Sequence, residues 1–74
     1  MSFDEALEAA LREDAYLVDH YKSGDPSVVG FLVGVAIAIT RLGNSNAPLP
    51  EWDVMRAKAR NALAHAVSSP IASN

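Results

Sequence analysis

His20, with Asp19 beside it and Asp14 upstream, is the one local grouping in this sequence that sets an imidazole among carboxylates. Folded into a cleft, such a group moves protons or holds a cation. The spacing argues for neither. A metal site on a helix needs a second ligand at a four-residue step, and neither His20 nor His65 has another histidine there. Carboxylates strung along a helix surface are ordinarily just solvated. Ser23, Ser27, Ser45, Ser68 and Ser69 lie outside any G-x-S-x-G context and have no paired base. Gly30 and Gly34 fall inside an apolar run, so their N–H groups are not turned outward to cradle an anion. These patterns predict no catalytic residue, no cofactor and no metal: a non-enzymatic protein.

Arg41, Arg56, Lys58 and Arg60 make the one basic cluster, and Trp52 stands near it in sequence. As a functional group they would contact a nucleic-acid backbone. As a structural group they would pair with the acids of the first helix, Glu8, Glu13, Asp14 and Asp19. Six Lys+Arg face nine Asp+Glu for a net charge of −3. Four cations also release few counterions. Pairing is therefore the favoured reading, and nucleic-acid contact the alternative.

Three helices are predicted to position these groups, over about 3–22, 26–42 and 50–68, with a tail at 69–74. Ser2 and Glu5 form a capping box at the first start. Phe3, Leu7, Ala10, Leu11, Leu17, Val18 and Tyr21 then recur at three- and four-residue steps. Asp25 caps the second helix, Pro26 opens it, and Gly43 is expected to end it in the left-handed conformation. The loop Asn44–Pro50 carries two prolines. Trp52, Met55, Ala59, Ala62, Leu63, Ala66 and Val67 line the third helix, and Pro70 stops it. No strand pattern and no repeat is present. The expected fold is all-α, a compact three-helix bundle and a single domain over 1–74.

The second helix governs the rest of the argument. From Ser27 to Arg41 it is uncharged until its last residue, and its apolar residues point in every direction around the axis. It falls short of the roughly 20 apolar residues of a membrane span. An apolar central helix needs cover on all sides. Gly30, Gly34 and Ala38, at steps of four, are expected to form a smooth face against which another helix packs closely. Phe31, Val35, Ile39, Trp52 and Met55 are the candidate protein interface, because two flanking helices leave some of these, or Leu42, uncovered. A chain of 74 residues without cysteine holds only about 3–5 kcal/mol of net stability unless packing or oligomerisation adds to it. The expected partners are another protein and a second copy of the chain. Half the residues are hydrophobic and a fifth are charged, which marks a globular chain. Met1–Leu11 holds Asp4, Glu5 and Glu8 without a basic start, so a cytoplasmic setting and no secretory leader are expected. Chains of this size and composition often act as accessory or inhibitory factors, including products of phages and mobile elements.

Tyr21-Lys22-Ser23-Gly24-Asp25, followed by Gly30-Phe31-Leu32-Val33-Gly34, resembles the helical tail domain of the B subunit of bacterial tRNA-dependent amidotransferases and the related small YqeY-like proteins. Those domains show a Tyr, a short Gly-containing turn and a G-F-L-V-G helix. A turn ending in Asn-Pro or a similar pair follows, here Asn46-Ala47-Pro48. The resemblance runs roughly from Val18 to Leu63 and implies a helical fold and tRNA recognition. Family members follow the second glycine with a lysine-bearing segment, typically Gln-Val-Met-Lys. This chain has Val35-Ala36-Ile37-Ala38 there, wholly apolar, so the lysine that would touch phosphate has no counterpart.

Overall fold

A computed structural model describes residues 2–68 as four helices: α1 (Phe3–Glu13), α2 (Tyr16–Lys22), α3 (Ser27–Leu42) and α4 (Trp52–Ser68). Among the described residues there is no strand. The expected tail and the stop at Pro70 lie outside them.

The first expected helix is therefore two. Asp14 closes α1 with φ −118° and ψ 62° while its N–H donates to the carbonyl of Ala10 at 2.8 Å. Short bonds from Leu17 N–H to Asp14 and from Val18 N–H to Ala15 then start α2. No glycine or proline marks this joint. The apolar stripe keeps its phase across it, so periodicity cannot detect it, although aspartate is a weak helix former. The capping box at the start of α1 is present: Ser2 N–H donates to Glu5 Oε1 at 2.8 Å and Glu5 N–H to Ser2 Oγ at 3.2 Å.

The turn after α2 is built on Gly24. Its N–H donates to Tyr21 C=O, and Asp25 N–H reaches back to His20 C=O at 3.2 Å. This paired closure needs a left-handed residue at its centre, and Gly24 supplies it with φ 94°. Gly43, assigned that conformation from sequence, instead has φ −92°. After α3 the chain turns through Asn44, whose side-chain Oδ1 accepts from Asn46 N–H at 3.1 Å. The first bond of α4 runs from Met55 N–H to Glu51 C=O.

The core is one apolar cluster. α1 gives Phe3, Ala6, Leu7 and Ala10; α2 gives Leu17; α3 gives Val28, Val29, Leu32, Val33 and Ala36; α4 gives Met55, Ala59 and Leu63. Thr40 is buried at the end of α3, and its hydroxyl donates to Ala36 C=O at 2.7 Å. α3 touches each of the other three helices. α1 and α4 run in the same direction: Lys58 Nζ meets Asp4 Oδ1 at 3.1 Å, and further along the groove between them Glu8, Leu11 and Arg12 face Asn61, Ala62, His65 and Ala66.

α3 is nevertheless not covered all round. The molecule measures 37 × 23 × 15 Å. Its shortest dimension admits about two helix layers at 8–10 Å between axes. Neighbours lie on one side of α3, so its buried residues fall on one arc and its opposite arc meets solvent. Gly30, Gly34 and Ala38 are on that open arc. A Cβ at either glycine would meet nothing within 4 Å. The expected close helix contact on the small face is thus corrected: within the chain no helix packs there. No helix among the described residues is long and apolar enough to cross a membrane.

Candidate functional site

The strongest chemical grouping from the sequence does not converge. Asp19 and His20 are exposed on α2, and Asp14 is half-buried at the joint before it. The His20 ring packs edge-on against Tyr16, with centroids 5.7 Å apart and planes at 82°. Among the described residues no three His, Asp or Glu side chains come together to hold a metal ion. His65 sits on α4 in the wall of the α1–α4 groove.

The four cations divide into three settings. Lys58 turns toward α1 and holds both oxygens of Asp4, at 3.1 and 3.3 Å. Its partner is therefore Asp4, and not one of the four acids expected from sequence. A pair this exposed contributes well under 1 kcal/mol, but it orients the side chain away from its neighbours. Arg56 and Arg60 are exposed on α4, four residues apart, with Trp52 one turn earlier. Arg41 is exposed at the far end of α3.

The candidate interface residues separate by burial. Met55 is only 5% exposed and belongs to the core, which corrects its assignment as surface. Val35 and Ile39 are partly buried against that core. Phe31 and Trp52 are each 52% exposed. Leu42 is 84% exposed in the last turn of α3. Tyr16, 51% exposed, was not anticipated. The apolar stripe of the expected first helix does not include it. On α2 Leu17 continues the apolar stripe into the core, and Tyr16, one residue earlier, stays outside it.

The exposed residues of α3, with Tyr16 beside them, form one surface. With 3.6 residues per turn, exposed Ser27, Gly30, Phe31, Gly34, Ala38, Arg41 and Leu42 trace a stripe along α3. Phe31, Val35 and Leu42 stand on one flank of it, and Gly30, Ile37 and Arg41 on the other. At its N-terminal end a groove of about 240 Å³ opens between α2 and α3, lined by Tyr16, Leu17, His20, Asp25, Ser27, Val28 and Phe31. Asp25 lies at the rim. It accepts from Ser27 Oγ at 2.6 Å and from Ser27 N–H at 3.1 Å. The hydroxyl bond first and the backbone bond second hold its carboxyl below the usual range. The stripe is apolar, has one deep end and one projecting end, and carries a charge at each.

No family model, curated protein or solved structure matches this chain.

Proposed function

We propose that the chain is a non-enzymatic protein-interaction module, an accessory factor in which α3 is both the spine of the bundle and the docking surface. The observation that carries this reading is the exposure of Phe31 and Leu42 on a helix whose other side forms the core. Burying a large apolar side chain is worth up to about 1.5–3 kcal/mol. A partner that covers this stripe gains that energy, while water does not. Large aromatic side chains beside small residues also suit a site that anchors another helix.

The test is photo-cross-linking in the source cell. A photoreactive phenylalanine analogue at position 31 is compared with the same analogue at exposed Ala57 on α4. The expected result is a protein adduct of discrete mass at 31, resistant to nuclease and missing at 57. Adducts that vanish with nuclease, or equal labelling at both positions, overturn the reading.

A second reading is an RNA- or tRNA-associated module like the amidotransferase tail domain. It is favoured by the row of exposed Trp52, Arg56 and Arg60 along α4. It is disfavoured by the diversion of Lys58 to Asp4 and by the net charge of −3. It requires binding that weakens steeply with salt and is lost in an Arg56→Ala/Arg60→Ala variant.

A further inference from the structure

The open stripe of α3 is close to symmetric about Gly34. Gly30 lies one turn before it and Ala38 one turn after; Ser27 and Arg41 lie two turns away on either side. Beyond Ser27 is the groove rimmed by Tyr16, Phe31 and Asp25. Beyond Arg41 is Leu42, the most exposed large apolar residue described.

We propose that the occupant of this surface is a second copy of the chain, packed antiparallel along α3 about a two-fold axis at Gly34. The inference rests on the interaction reading above and names its partner. In an isologous interface every feature meets its complement at the same distance across the axis. Three features of the stripe do so. Gly30 falls against the partner's Ala38, and Gly34 against the partner's Gly34, small against small, which lets the backbones approach. Leu42 lies on the same flank as Phe31, and a two-fold axis of this kind keeps flanks together. Leu42 therefore comes down at the mouth of the partner's groove. Arg41, whose side chain makes no ion pair or hydrogen bond among the described residues, is carried to the end of the partner's stripe marked by Ser27, whose hydroxyl donates to the Asp25 carboxylate at 2.6 Å. Parallel packing would instead bring both Arg41 side chains and both Leu42 side chains to the same end, away from either groove, and leave both grooves empty.

The chain has no cysteine, so single cysteines report the geometry directly. Helices that touch through glycine bring Cα atoms within the roughly 4.4–6.8 Å that a disulfide spans. Gly34→Cys is expected to oxidise to a covalent dimer. Gly30→Cys and Ala38→Cys are expected to link poorly alone and several-fold better when mixed. Sedimentation of the parent should shift toward the dimer with concentration. Gly34→Leu should stay monomeric while melting no lower than the parent when both are dilute enough to be monomers, since the added side chain meets open space. A parent that is monomeric at every concentration overturns the inference. So does Gly30→Cys linking to itself as readily as it links to Ala38→Cys. Either outcome leaves the interaction reading to its own cross-link at position 31, where an adduct of a different mass identifies a different partner.

Discussion

Two glycines show how much a single position depends on its surroundings. Gly24 occupies the left-handed turn after α2, with φ 94°, where a Cβ strains the backbone by about 1–2 kcal/mol. Gly34 has ordinary helical geometry and open space where its Cβ would stand. There the missing side chain only weakens the helix, by about 1 kcal/mol relative to alanine. Gly24→Ala should therefore lower the urea midpoint, and Gly34→Ala should raise it, in melts run dilute enough to hold the monomer. The sequence places both residues plainly but not the sign of either effect. Spacing marks Gly34 as a packing contact and Gly43 as the left-handed terminator. Only the path of the chain shows that Gly34 faces water and that the terminator is Gly24.

The helices were mostly legible because their signals are local. Ser2 with Glu5 and the prolines of the loop after α3 act within a few residues as their chemistry dictates. Asp25 lies one residue further out than expected, since Pro26 is the N-cap position and α3 begins at Ser27, to which Asp25 is hydrogen-bonded. The joint between α1 and α2 was not legible, because it interrupts hydrogen bonding without interrupting the apolar phase. The two helix starts also share a weakness. Glu5 is held below its ordinary range by the backbone N–H of Ser2 and then by its hydroxyl, as Asp25 is by Ser27. Each therefore binds a proton less readily folded than unfolded. Their contribution is fully present above the ordinary carboxylate range and is lost as pH falls from that range through their lowered folded values. Thermal melts should show stability declining on the acid side, and a Glu5→Gln/Asp25→Asn variant should show a flatter decline. An unchanged acid limb would mean that neither carboxylate is felt by the whole fold.

At the scale of the molecule, what composition could not supply was direction. An apolar sequence around a whole helix says that cover is needed; it does not say on which side cover is missing. The thin dimension of 15 Å decides that. It puts every neighbour of α3 on one side and leaves the glycine stripe, Phe31 and Leu42 on the other. Met55 and Trp52 show the same limit on α4. Three residues apart in one predicted stripe, they divide into a core side chain and a half-exposed one.

The shared direction of α1 and α4 has a consequence for the order of folding. α1 reaches α3 through one short helix and a glycine turn, whereas Asp4 meets Lys58 across 54 residues of chain. Closing the longer loop costs more entropy before any contact rewards it. The α1–α2–α3 portion should consolidate first and α4 dock late. Ala59, fully buried on α4, then becomes a kinetic probe. Ala59→Gly should speed unfolding while leaving the refolding rate almost unchanged in stopped-flow chevrons. Refolding slowed in proportion to the lost stability would instead place α4 inside the folding nucleus.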